Sequence, residues 1–194
     1  MNFLKKLFKN SEKLKNEEIK NQKVSLSLDD SFVHNFIKHG GKFLYCHKKE
    51  DVTSNIQNII KENNWETISY KNKNLAKLIS SIDIKTESDF NKNIPFFTTC
   101  EQLISQNGSI LFSSNQIGDK RISSLTNDFI VFATTSQIVK NMGESLTGIR
   151  VKHKDNLPTN ITSIKNYGNN NEDDFMNYGN NNSKNLYLLL LENL

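Results

Sequence analysis

The run Leu186-Tyr-Leu-Leu-Leu-Leu, six apolar residues ending at Leu191, constrains this chain more than any other feature. A strand turns successive side chains to opposite faces, so such a run has no polar face to show to water. Shorter runs of similar character lie at Ile94 to Thr98, Ile110 to Ser113, Phe129 to Ala133 and Ile161 to Ile164. Strands of this kind need cover on both sides. They predict a three-layer α/β fold, a mostly parallel sheet with helices on both faces.

The cover is visible upstream. Phe32, Val33, Phe36 and Ile37 recur at helical spacing after a capping pattern, Ser27-x-x-Asp30, and Gly40-Gly41 supplies a stop. Phe43 to Cys46 then reads as a strand, Asp51 to Asn63 as a helix with Val52, Ile56, Ile59 and Ile60 on one face, and Thr67 to Tyr70 as a strand. A short helix follows around Leu75, Leu78 and Ile79, then a polar connection from Lys85 to Asn93. Two further helices are predicted: Cys100 to Ser105, ending at Gly108, and Ser136 to about Thr147, with Ile138, Val139, Met142 and Leu146 on one face. Gly168 to Ser183 is rich in Asn, Gly and acids and reads as a long loop.

Charge divides the chain into a segment 1–26 and a domain 27–194. The first segment carries seven Lys against three Glu, which equals the net charge of +4 for all 194 residues. The domain is therefore formally neutral and lacks the basic footprint that duplex nucleic acid requires. The basic segment clusters Phe3, Leu4, Leu7 and Phe8 on one helical face. Adsorption to an anionic membrane, folding back onto the domain, and an unattached tail are all compatible with that pattern, but no second anchoring signal supports a membrane partner.

Cys46 and Cys100 cannot build a disulfide framework, and the absence of Cys-x-x-Cys argues against zinc or an iron–sulfur cluster held by this chain. With no long apolar span or leader-like start, a reducing cytoplasmic setting is the expectation. The four histidines are scattered, and Cys46-His47 would point to opposite faces of a strand. Glu172, Asp173 and Asp174 lack the alternating spacing of a calcium loop. Nucleotide-binding glycine loops, a serine-hydrolase elbow and a zinc-protease motif are all missing.

Two polar, glycine-containing turns stand directly before apolar strands: Gln106-Asn-Gly-Ser109, and the segment around Gly179. Backbone amides in such turns can face an anion. Arg121, one of only two arginines, offers a planar fork suited to a carboxylate or phosphate. These residues form the candidate ligand site, and no catalytic residue is assigned.

The order Ser105-Gln-Asn-Gly-Ser-Ile, then Arg121, then Phe129-Ile-Val-Phe resembles the LUD domain, the lactate-utilisation family that includes LutC-type subunits. There the first stretch usually reads Ala-Glu-Thr-Gly-Thr-Leu. Pro158 to Lys165 occupies the place of a second family segment, with Asn160 at the position of its Asp, and Tyr178-Gly precedes the last strand as a Gly-containing turn does in the family. The resemblance spans about Ser27 to Leu194. It implies a NagB/RpiA/CoA-transferase-like arrangement and a role as a non-cluster subunit of a cytoplasmic iron–sulfur system oxidising L-lactate to pyruvate. The clusters would sit in partner subunits, and this chain would bind a small organic anion or support those partners. Gln106 stands where the family has Glu, and an amide cannot serve as a carboxylate nucleophile or base. A stand-alone CoA-transferase-like enzyme and a regulatory ligand-sensing module are the alternatives.

Overall fold

A computed structural model describes residues 26–167 and 183–193. The expectations for residues 1–25, for Glu172 to Asp174 and for Gly179 lie outside the described residues.

Six parallel strands form the central sheet, in the spatial order β1 (Lys42–Cys46), β10 (Asn185–Leu191), β7 (Asp128–Thr134), β4 (Phe96–Thr99), β2 (Thr67–Ser69) and β3 (Lys85–Glu87). The apolar runs do what two-sided burial demands. Leu186, Leu188 and Leu190 face one core with Phe129 and Val131, whereas Tyr187, Leu189 and Leu191 face the other with Ile130. Helices α2 (Lys49–Asn63) and α3 (Lys73–Ile79) cover the second face through Val52, Ile56, Ile59, Leu75 and Ile79.

The first face is covered by helix α1 (Leu28–Lys38) and by a small second sheet. Ser27 caps α1, its Oγ accepting from the Asp30 amide at 3.1 Å, and Phe32 and Phe36 are fully buried beneath the helix. The second sheet has the order β8 (Ile138–Val139), β5 (Gln102–Ile104), β6 (Ser109–Ser113) and β9 (Ile161–Ile164). Leu103, Ile110 and Phe112 point into the first core. Ile104 and Leu111 point outward, against Ile149 of helix α5 (Met142–Lys152). The predicted three-layer α/β fold is present, with a small sheet and an outer helix added to one layer.

Three local expectations change. Cys100 to Ser105 is not helical: Leu103 and Ile104 are consecutive and buried in different cores, which a strand permits, so β5 pairs antiparallel with β6. The helix expected from Ser136 begins only at Met142, where Asn141 accepts from the Glu144 amide at 3.0 Å, because Ile138 and Val139 pair with β5. The predicted polar connection after Lys85 opens with an exposed edge strand, β3.

Candidate functional site

Four residues of the candidate site surround the β5–β6 turn, where the backbone is committed inward. The Ser105 and Gln106 amides donate to Val139 and Lys140 carbonyls at 2.8 and 3.0 Å. The Gly108 amide donates to Ile104 at 2.9 Å, and the Ser109 amide to Asn107 Oδ1 at 3.1 Å. Asn35 Nδ2 donates to the Ser105 carbonyl at 2.9 Å, and Tyr167 Oη lies 2.8 Å from the Gly108 carbonyl, which fastens the turn to the body. Gly108 has a φ of 67°, and a Cβ there would lie 2.5 Å from the Phe36 backbone nitrogen. Only glycine allows this approach. Of the amides expected to cradle an anion, that of Gln106 is bonded to the segment after β8 and those of Gly108 and Ser109 within the hairpin, while the Asn35 and Ser105 side chains tie the hairpin to α1.

Arg121 lies at the other end of β6. That strand of five residues separates the turn from the Arg121 side by about 16 Å, so the structure does not bring Gln106 to Ser109 and Arg121 together. Asn160 lies at the turn of Gly118, which is three residues before Arg121 in the chain: its Nδ2 donates to the Gly118 carbonyl at 3.3 Å, and its backbone carbonyl accepts from the Ser114 amide at 3.2 Å. The Asn160 Oδ1 is buried without a donor.

The residue that organises this end is Glu101, which the sequence reading did not single out. It stands immediately before β5, one residue removed from the end of β4, and its side chain is 1% exposed. Ser113 Oγ at 2.7 Å, Gln116 Nε2 at 2.9 Å and Asn115 Nδ2 at 3.4 Å donate to Oε1; Lys152 Nζ at 3.0 Å and His153 Nε2 at 3.1 Å lie against Oε2. Burial pushes its carboxyl upward, but the bonds from Ser113, Gln116, Lys152 and His153 outweigh that and hold it down at about 2. Glu101 thus ties the β4–β5 corner to the end of α5 and to the one-turn helix α4 (Ser114–Ile117). A carboxylate so fully engaged is a strut rather than a nucleophile.

Helix α4 ends at Gly118, whose φ of 64° turns the chain toward Lys120 and Arg121. Lys71, just past β2, comes within reach of this turn. Its Nζ lies 4.4 Å from the centre of the Phe90 ring, and Lys120 Nζ lies 5.0 Å from the same centre. Phe90 in turn packs edge-on against Phe96 at the start of β4. No carboxylate among the described residues forms an ion pair with Lys71, Lys120 or Arg121. The location has a topological meaning: from β2 the chain leads outward to β3 over one face, and from β4 it leads to β7 over the other. Ligands of open α/β sheets bind where adjacent strands diverge in this way. Lys71, Lys120 and Phe90 carry no motif, since they are distant in sequence and only the topology joins them.

Among the described residues no three His, Cys, Asp or Glu side chains gather to hold a metal ion. No described helix is long and apolar enough to cross a membrane. Cys46 and Cys100 are free and buried, and burial pushes the Cys100 thiol well up, which makes it a poor nucleophile.

The two cores on either side of a parallel sheet define a three-layer α/β domain. The LUD domain model matches residues 30–191, and the chain belongs to that family. A crystal structure of a DUF162 family protein from Deinococcus radiodurans is similar to this chain with a TM-score of 0.60 at 14% identity, covering 87% of this chain and all of that one. At that identity the likeness bears on the fold. No curated protein matches the sequence.

Proposed function

We propose that this LUD-domain protein binds a small organic anion in the crevice between β2 and β4. It would act as a non-cluster subunit of an iron–sulfur system oxidising L-lactate to pyruvate, with the clusters in partner subunits. The observation that carries the binding part is the pair of cations Lys71 and Lys120 over the Phe90 ring, with Lys71 beside the Gly118 turn and no carboxylate ion-paired to either among the described residues; Arg121 follows Lys120 directly in the chain. Two ammonium groups against one phenyl ring leave their remaining donors for an incoming anion, and the ring supplies an apolar wall for a short carbon chain. Arg121 adds a planar fork for a carboxylate. Asn160, with a buried acceptor lacking a donor, supports the turn and could accept a hydrogen bond from a ligand hydroxyl after a small side-chain shift.

The family name supports the lactate-utilisation setting, and the cluster-bearing partners follow from that setting. A CoA-transferase-like reaction receives no support, because Gln106 has no carboxylate and Glu101 is sealed by its donors. Calorimetry with L-lactate, pyruvate, an acyl-CoA and a sugar phosphate tests the binding. Equal affinity in the wild type and in a Lys71→Ala/Lys120→Ala variant would remove the crevice from consideration. Affinity purification from the source cell tests the assembly separately; recovery without any iron–sulfur protein would count against the subunit role.

A further inference from the structure

Beside the free edge of the main sheet, on the α1 side of β1, lies a groove of about 530 Å³. Val33, Phe43, Tyr45 and Leu190 give it an apolar floor, and Asp29 and Asp30 give it an acidic rim. Tyr45 is 42% exposed, and Leu26 and Leu28 beside it are 49% and 47% exposed. No described residue covers this surface, which lies at the β1 side of the sheet, whereas the Gly118 turn lies toward β2, four places along the strand order.

The chain itself identifies an occupant. Ser27 lines the groove, so the described chain begins at its rim, with 25 further residues preceding Leu26 in the sequence. Those residues contain Phe3, Leu4, Leu7 and Phe8 at a spacing that a helix would gather on one face, and seven Lys against three Glu. The groove has the matching properties, apolar within and acidic at its edge. The intervening residues 9–25 can extend to roughly 55 Å, ample for the stripe to return to a groove beside the attachment point. We propose that the N-terminal segment docks back into this groove as an amphipathic helix, with Phe3, Leu4, Leu7 and Phe8 against Val33, Phe43, Tyr45 and Leu190, and with its lysines near Asp29 and Asp30. A short tether places the segment at high effective concentration, so a modest apolar contact suffices to hold it.

The test uses the full chain carrying Lys9→Cys and Val33→Cys. Disulfide formation under mild oxidation is compared with the same pair in a chain that also carries Leu7→Ser and Phe8→Ser. Docking through the stripe predicts a monomeric disulfide whose rate is independent of protein concentration and falls about tenfold when the stripe is removed, whereas a mere tether gives equal rates. Equal rates overturn the proposal, as does a product that is mainly disulfide-linked dimer, which would assign the groove to a second copy. A second measurement keeps the native groove: Leu7→Ser/Phe8→Ser should raise amide exchange at Phe43 to Tyr45, and unchanged exchange also overturns it. If the segment protects the groove less once vesicles with anionic lipid are added, the two are competitors; if protection appears only with vesicles, the segment is a membrane anchor and the intramolecular contact is wrong.

Discussion

The two ends of β6 show how similar polar residues can serve opposite purposes. At the Gln106 to Ser109 end, four backbone amides, the Asn35 amide and the Tyr167 hydroxyl already bond within the molecule. At the Gly118 end, Glu101 gathers the hydrogen bonds behind the surface and leaves Lys71, Lys120 and Arg121 in front without carboxylate partners. A glycine-containing turn before a buried strand is therefore not in itself a cradle. Whether its donors are already engaged decides the matter.

The sharpest way to break this comparison is Gly108→Ala. A positive φ and a Cβ 2.5 Å from backbone should cost about 4 kcal/mol, read as a lower midpoint in urea. If Gly108→Ala is tolerated, the hairpin is not clamped to α1.

Next in size is Glu101→Gln, which leaves Lys152 and His153 facing an amide and should cost about 3 kcal/mol. Its pH dependence has a definite sign. The folded carboxyl lies at about 2, below its ordinary 4.5, so its contribution is complete above the ordinary value and disappears as pH falls through about 2. Acid unfolding between those values should flatten in Glu101→Gln, and an unchanged acid limb would show that the five contacts do not persist in solution. Because Glu101 holds α4, the variant should also weaken anion binding.

Smaller again, Lys71→Ala/Lys120→Ala should lower affinity for a carboxylate about tenfold, on the order of 1.4 kcal/mol, with little change in melting temperature. The smallest effect belongs to Gln106→Glu: binding and stability within about 0.5 kcal/mol of wild type, since the Gln106 side chain is exposed on the turn. A large change in binding there would return the site to the hairpin.

Layer architecture was legible because consecutive apolar residues allow few alternatives: β4, β7 and β10 need two cores, and Val52, Ile56 and Ile59 at helical spacing identify one cover. The second sheet was less legible. Gln102-Leu-Ile is too short to show a period, and Ile138-Val139 fits a helical face as well as a strand, so pairing between β5 and β8 decided both. Arg121 could be chosen for its chemistry and Asn160 through the family resemblance. Their separation from Gln106 could not, because it depends on β6 running between them. Glu101 did leave a trace, a carboxylate directly after the buried strand end Phe96-Phe-Thr-Thr-Cys, where an acid must find several donors.

The place of β10 also bears on how the protein forms. β1 has one neighbour in the sheet, and that neighbour is β10, with Lys42 opposite Tyr187 across a separation of 145 residues. Until β10 arrives, β1 has no strand to pair with, β7 lacks one of its two neighbours, and both cores stand open along that seam. Closing so long a loop is slow, and the two parts must wait with apolar edges exposed. From this topology β10 is expected to insert between strands that precede it in the chain, so that the sheet would be completed as an arch is by its keystone, with its apolar edges open until then.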